Sequence, residues 1–514
     1  MKPQLLLPAL LTASASASPL NQTWDYIIVG GGASGIPLAD RLSESGKSVL
    51  LIERGFASSG RWGGTWKPSW LQDTNLTRFD VPALYQFIWT NLTDNSGIIC
   101  PDVSTPASCV LGGGTAINAG QFYLPTPMDW DLTDMPPAWH SQHMRSATAR
   151  ALSRLPWTDT PSMDGESYLT NGSRITISLL TNSSLPHAYK LIRANDHPET
   201  RDHVLSLAEY FFQSGERGGP MATYLVSASK RRNFHLQLNT TVARVLRTGD
   251  HANGVQVGPT YPGGLNGTIK LTPKMGRVIL SAGVFNTAKI LFRSAIGPRE
   301  QLHIVQNSTD GPLMLDEKHW IERPVGRNLD DAPSVYLAVS GFALDTYDWE
   351  SLWDKPPAAD VQRYLHNRSG PLAEIQPSLG PVFWDEIRGE DSRTRVVQWT
   401  TNSGVLNGQG ILAFAANLNR GHTSRGTGLE DYLRAAIATQ PLLTSNHWVG
   451  STRMGASCEE EGDAVVDAGT RVCGMANLHV VDAGIVNGVS TANPQGVFIT
   501  AAERAAAIIL EMDE

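Results

Sequence analysis

The first strong apolar pattern in the chain is Tyr26-Ile27-Ile28-Val29, led in by Asp25. An unbroken apolar run of this length predicts a strand buried on both faces. The turn Gly30-Gly31-Gly32-Ala33-Ser34-Gly35 follows, then helical periodicity from about Ile36 to Glu44. After Gly46 and Lys47 comes a second apolar strand, Ser48 to Ile52, ending at Glu53. Strand, glycine turn, helix, strand and acid make a βαβ unit. The C-terminal end has a matching logic. Leu478 to Val481 reads as a buried strand ending at Asp482, a loop leads to Asn493-Pro494, and Gly496 to Met512 has helical periodicity. Between these ends, Arg277 to Ala282 predicts a strand and Asn286 to Phe292 a helix. From about 340 to 440 the pattern is less regular and rich in Trp, Tyr and Pro, and a second, substrate-side domain is expected there.

Gly30, Gly32 and Gly35 fit the spacing G-x-G-x-x-G. In that spacing the first glycine permits the tight turn, the second lets a pyrophosphate approach the backbone, and the third packs helix against strand. The helix N-terminus offers free N–H groups and partial positive charge to phosphates. Glu53 stands where an acid accepts hydrogen bonds from an adenosine ribose. The glycine spacing alone is a weak signal that a purely structural turn also satisfies. Set between two strands and followed by the acid, it predicts a dinucleotide site. Ser34 is not read as a nucleophile, because the pattern is not G-x-S-x-G. A second glycine loop, Gly112 to Asn118, follows Val110-Leu111. Its bare backbone suits close approach to a flat ring system, although standing alone it would read as an ordinary turn.

Composition narrows the setting. Lys and Arg total 41 against 49 Asp and Glu, a net charge of −8, and no basic run occurs. That balance argues against nucleic acid or an anionic membrane as partner. Residues 1–18 read as a signal peptide: Lys2, the short apolar stretch Leu5 to Leu11, then Ala15-Ser16-Ala17. No later segment is long and apolar enough to span a bilayer. Asn-x-Ser/Thr sequons at Asn21, Asn75, Asn91, Asn171, Asn182, Asn239, Asn266, Asn307 and Asn367 agree with export and N-glycosylation. The 4 cysteines fall into two local pairs, and disulfides 100–109 and 458–473 are the simplest arrangement outside the cell. Spacing alone leaves the other pairings open. His140 and His143 have metal-like spacing without further ligands, so no metal site is expected. Outside the cell a dissociable nicotinamide cofactor is scarce, whereas a tightly held flavin travels with the protein. FAD is therefore the favoured dinucleotide.

Several blocks together resemble the glucose–methanol–choline (GMC) oxidoreductase family. They are Asp25 to Glu53, Cys109 to Thr115, Arg217-Gly218-Gly219-Pro220, Ser281-Ala282-Gly283, Pro324 to Asn328, Ser445 to Gly450, Val481 to Gly484, and Asn493 to Gly496. Within the family the pattern is most similar to the flavin domain of fungal cellobiose dehydrogenase. The resemblance implies an α/β fold: a Rossmann-like FAD-binding domain plus a substrate domain with a large, mostly antiparallel sheet. The implied division is 24–155, 205–300 and 440–514 for FAD, and 156–204 and 301–439 for substrate. It implies a catalytic pair, His447 as base and Asn493 as hydrogen-bond donor to the same oxygen, with hydride passing to flavin N5. Asn493 before Pro494 also reads as a helix N-cap. The implied cofactor set is Gly30, Gly32, Ala33, Ser34, Gly35, Glu53, Gly113, Gly114, Thr115, Asn118, Val242, Asp482, Ala483, Asn493 and Pro494. Ser445 and Asn446 are the implied substrate contacts.

With no histidine from Thr115 to Asn118, noncovalent FAD is expected. Trp62, Trp66 and Trp70 cluster in a segment suited to line an entrance. Because the glycine motif starts just after the leader, no upstream haem domain is expected, nor a cellulose-binding module downstream. The run Asn487 to Ala492 also lacks the proline usual before the catalytic asparagine. The leading expectation is a secreted enzyme oxidising a CH–OH group of a sugar or sugar-like alcohol, with a quinone or oxygen as electron acceptor. A tailoring oxidoreductase of a fungal secondary metabolite is the alternative, and a redox-neutral flavin cyclase or binding protein a third reading. Nothing in the sequence fixes the oligomeric state.

Overall fold

A computed structural model describes residues 18–513 apart from 91, 346, 376–377, 390–391, 407–408, 420–442 and 460–462. The leader at 1–17, the sequon at Asn91 and part of the substrate-side segment therefore lie outside the described residues.

The unbroken apolar runs become the centre of a five-stranded parallel sheet in the order Leu478–Val480, Arg277–Leu280, Tyr26–Val29, Val49–Ile52, Phe234–Gln237. Every residue of Tyr26–Val29 and Val49–Ile52 is buried, as an apolar strand covered on both faces must be. The register sets Ile27 beside Leu50 on one side and beside Val278 on the other. The helix Gly35–Ser43 packs against the long C-terminal helix Gln495–Glu511. A four-stranded sheet containing Thr240–Thr248 and His251–Pro259 packs against the helix Gly283–Arg293.

The third layer is a seven-stranded sheet, antiparallel except at one edge. Its long members are Pro333–Phe342, Gln409–Asn419, Thr394–Leu406 and Ser378–Arg388. The stretch that looks irregular in sequence is thus the most extended part of the molecule. The register supplies the reason. Ser334, Asn417 and Gln398 stand in one cross-strand row, Tyr336, Ala415 and Thr400 in the next, and Ala413 beside Asn402 in the third. One face of this sheet is studded with polar side chains, and the buried Thr401 puts a polar residue on the other, so Thr400-Thr401-Asn402 runs polar without a break and blurs the alternation that announces a half-buried strand. The strand Val204–Ser206 straddles the expected boundary at 204/205. Leu443–Thr444, within the expected FAD segment 440–514, also pairs into this sheet.

Both expected disulfides are present, Cys100–Cys109 and Cys458–Cys473. Asn21, Asn75, Asn182, Asn266, Asn307 and Asn367 are exposed, while Asn171 and Asn239 are half-buried. Among the described residues no helix is long and apolar enough to cross a membrane, and no cluster of three or more His, Cys, Asp or Glu is placed to hold a metal.

Candidate active site

The glycine loops, the carboxyl ends of the parallel strands and the polar face of the large sheet enclose one cavity of about 970 Å³. A crevice beyond the carboxyl ends of a parallel sheet is where ligands bind in open α/β folds. The cavity is lined by Gly30, Gly32, Ala33, Ser34 and Glu53 from the βαβ unit, and by Gly113, Gly114, Thr115 and Asn118 from the second glycine loop. Val242, Asp482, Ala483, Asn493, Pro494, Ser445, Asn446 and His447 complete the set drawn from the sequence.

Gly35 is the exception: it does not line the cavity. A Cβ at Gly35 would sit 1.9 Å from the Gly30 carbonyl oxygen, so this glycine closes the loop onto the helix and leaves ligand contact to its neighbours. The second loop docks on the first. Gly112 N–H donates to the Gly31 carbonyl at 2.7 Å. A Cβ on Gly113, whose φ is +55°, would stand 2.9 Å from Gly32 Cα. The two loops, some eighty residues apart in the chain, therefore form one side-chain-free floor.

Two buried carboxylates brace the cavity wall, Glu53 at the first glycine loop and Asp482 at the start of the helix Gly283–Arg293. Glu53 accepts from Gly31 N–H and Gly55 N–H, each at 2.8 Å. Burial raises its pKa, and the two backbone donors oppose that rise. Asp482 accepts from Gly283 N–H at 3.0 Å, Thr287 Oγ1 at 2.5 Å and Gly484 N–H at 2.8 Å. Its pKa too is raised by burial against those donors. Ser34, Thr115 and Asn118 spend their side chains within the protein: Ser34 donates to the Phe498 carbonyl, Thr115 to the Gly112 carbonyl, and Asn118 pairs with Gln495 and Arg217.

His447 belongs to the irregular segment after Leu443–Thr444 and lines the cavity beside Trp448. Its Nδ1 is buried and has no hydrogen-bond partner among the described residues, which leaves Nε2 as the nitrogen available to the cavity. Burial lowers its pKa to about 4, so the ring is neutral at physiological pH. Asn493 Oδ1 accepts from Gln398 Nε2 at 2.8 Å, which frees the Asn493 amide N–H groups as donors. The expected N-cap role of Asn493 is not realised. The helix starts at Gln495 with Pro494 in the cap position, and the asparagine side chain is turned to the large sheet.

The tryptophan cluster does not line the cavity either. Trp62 donates to the Met221 carbonyl, Trp66 stacks on Phe56, and Trp70 donates to the Leu352 carbonyl. These rings cement the outer shell. His140 bonds the Met135 carbonyl and His143 the Gln142 side chain.

The sequence reading missed Asp331, Gln398 and the polar sheet face. Asp331 accepts from His447 N–H at 2.7 Å and Asn446 N–H at 3.1 Å, and burial pushes its pKa up to about 6 against those donors. It falls three residues after the block ending at Asn328. Ser334, Tyr336, Thr400, Asn402 and Asn417 line the cavity. The only available signal was the alternation of polar residues at 398, 400 and 402.

Comparison with known proteins gives the family of the chain. The N-terminal signature of the GMC oxidoreductase family matches residues 24–334, and its C-terminal signature matches residues 395–502. The chain is 28% identical over 329 residues to an oxygen-dependent choline dehydrogenase of Vibrio vulnificus, covering 62% of this chain and 54% of that one. It is 27% identical over 409 residues to pyranose dehydrogenase 2 of Leucoagaricus meleagris, covering 73% and 61%. These matches thus span little more than half of either relative's length. A formate oxidase from Aspergillus oryzae, solved as a variant, superposes with a TM-score of 0.72 at 17% identity, over 96% of this chain and 99% of that one. The chain belongs to the GMC oxidoreductase family. That formate oxidase is described as carrying FAD. The side-chain-free floor and the cavity of about 970 Å³ above it leave room for such a dinucleotide, with Glu53, Asp482 and Asn493 all in the lining.

Proposed function

We propose that this protein oxidises a CH–OH group of a small, neutral, hydroxyl-bearing substrate, a sugar or sugar-like alcohol, with His447 as the base. The observation that carries this reading is the pairing, in one cavity, of a neutral imidazole and an asparagine amide opposite a polar, uncharged sheet face. FAD, when bound, supplies the two-electron acceptor, taking hydride at its N5. His447 Nε2 accepts the hydroxyl proton, and the Asn493 amide donates to the same oxygen and steadies its growing negative charge.

Ser334, Tyr336, Thr400, Asn402 and Asn417, with Ser445 and Asn446, offer hydrogen bonds without net charge. The charged residues of the lining are engaged by the protein: Arg54 and Lys289 lie 3.2 Å and 3.1 Å from Asp102, Arg293 lies 2.7 Å from Asp310, and Glu53 and Asp482 accept hydrogen bonds from backbone N–H groups. Such a lining suits neutral hydroxyl groups better than a cation or a carboxylate. The flavin domain of cellobiose dehydrogenase is the pattern within the family that this reading follows. A quinone or oxygen is the terminal acceptor, and FAD is held noncovalently, since Thr115 to Asn118 contains no histidine. Two disulfides and the exposed sequons support a secreted glycoprotein. The parallel sheet with the glycine loops forms the FAD side, and the large sheet forms the substrate side.

The test is an anaerobic titration of the flavin spectrum with sugars (glucose, cellobiose) and aryl alcohols (benzyl alcohol), followed by turnover with a quinone. Sugars are expected to bleach the flavin, whereas bleaching by aryl alcohols alone sinks the substrate assignment. His447→Ala is expected to slow flavin reduction by about 10²–10⁴-fold with FAD retained. Near-normal reduction in that variant removes His447 as the base.

A further inference from the structure

We propose that Asp331 is the positioning residue of the catalytic base: its carboxylate clamps the backbone at Asn446 and His447 and so aims the imidazole into the cavity. This rests on the reading of His447 as base. A catalytic histidine is ordinarily oriented through its second ring nitrogen, by a carboxylate or a carbonyl. Here that nitrogen, Nδ1, is buried with no hydrogen-bond partner among the described residues. The ring's direction must therefore come from its backbone and from packing.

That backbone is irregular. Asn446 has a φ of 58°, in the left-handed region that few residues occupy. A segment of this kind keeps one shape only if its surroundings determine it. Asp331 supplies the determination. Oδ1 accepts from His447 N–H at 2.7 Å and from its own neighbour Ala332 N–H at 2.9 Å, and Oδ2 accepts from Asn446 N–H at 3.1 Å. One carboxylate thus holds the left-handed residue and the histidine that follows it. Asp331 itself is fixed, because Asp330 exchanges both backbone hydrogen bonds with Val449 and the strand Pro333–Phe342 begins two residues later. The side chain of Ser445 adds a tie to Ser334 at 2.5 Å. The sheet that forms the substrate face thereby also carries the base, and Asp331 is the joint between them.

Asp331→Asn keeps the shape but offers one acceptor oxygen where two are used, and sets an amide N–H₂ against a backbone N–H. A displacement of about 1 Å at a reacting group costs on the order of 10²-fold in rate. The experiment measures the limiting rate of anaerobic flavin reduction in the holoenzyme for wild type, Asp331→Asn, His447→Ala and the double variant. The probe is whichever of glucose, cellobiose or benzyl alcohol reduces the wild type fastest. Expected for Asp331→Asn is a limiting rate lower by about 10- to 100-fold, with half-saturating substrate and FAD content unchanged. In the His447→Ala background the same change is expected to have no further effect.

A wild-type rate in Asp331→Asn overturns the proposal, and so does an equal loss in both backgrounds, which would mark a general structural role. If Asp331→Asn does not fold, Asp331→Glu carries the same cycle, since it keeps the charge and shifts it by one methylene. A near-normal rate in His447→Ala retires the base assignment itself. A slow His447→Ala beside a normal Asp331→Asn retires Asp331 alone.

Discussion

Replacing Glu53 with glutamine separates the shape of the glycine floor from its mere presence. The carboxylate bridges Gly31 N–H and Gly55 N–H at 2.8 Å each, and the residue is only 6% exposed. Hydrogen bonds to a charged acceptor contribute about 1.5–3 kcal/mol each, and orphaning a buried N–H costs about 1–3 kcal/mol. Glutamine keeps one acceptor for one of the two donors and opposes the other with its own N–H₂. Removing the charge also relieves the burial that raises the pKa of Glu53, which offsets part of the loss. The net cost is about 1–3 kcal/mol. Since Gly31 N–H is held by Glu53 while its carbonyl receives Gly112 N–H, that loss falls on the junction of the two loops. With about 1.4 kcal/mol per tenfold, FAD affinity is expected to drop between about 5-fold and 150-fold. The assay is a titration of deflavinated protein with FAD, read by quenching of flavin fluorescence, beside thermal unfolding of the same samples. Glu44→Gln is the control, because Glu44 is exposed at the C-terminal end of the helix Gly35–Ser43, away from the glycine loops, paired with Arg41, Arg154 and Arg231. Wild-type affinity in Glu53→Gln, with an unchanged unfolding temperature, would refute the reasoning.

Two histidines make the protein acid-sensitive in a defined window. His479 is fully buried, and its pKa is lowered to about 3 by burial and by the nearby Arg277; His447 is lowered by burial to about 4. Below the unfolded value near 6.5, the unfolded chain takes up protons that the folded chain refuses, so stability is lost as pH falls from about 6.5 toward 4. At pH 4.5 His479 alone costs about 2–3 kcal/mol, two units at about 1.4 kcal/mol each. The drop in urea midpoint between pH 7 and pH 4.5 is therefore expected to be smaller in His479→Gln than in wild type, and equal drops would contradict the burial argument. Acid precipitation is expected to leave the yellow colour in the supernatant; colour in the pellet would show that FAD is covalently attached.

Much of the FAD side was legible because its determinants are local. The apolar runs at Tyr26–Val29 and Val49–Ile52, the glycine spacing and the trailing Glu53 lie within one short stretch and need no distant partner to be recognised. The same is true of the paired cysteines. The substrate side was opaque for the opposite reason. Gln398, Asn402 and Asn417 look like polar interruptions until the register aligns them, across strands, with Ser334 and Tyr336 on one face. Likewise, Asn493 before Pro494 looks like a helix cap, and only the large sheet, through Gln398, draws its side chain elsewhere.

By itself, the sequence determined the βαβ unit and the two glycine loops, offered the local cysteine pairs as the simplest arrangement and, through its resemblance, pointed to His447 and Asn493 as candidates. Tertiary structure alone decided that the two glycine loops merge into one surface, that Gly35 supports the cavity from behind, and that Asp331 holds the backbone of His447. The division is physical. Propensity, turn chemistry and short motifs act between near neighbours in the chain, whereas the orientation of a side chain is fixed by whatever hydrogen-bond partner the fold brings to it. For the backbone that carries His447, that partner comes from 116 residues away, a distance over which no periodicity carries information.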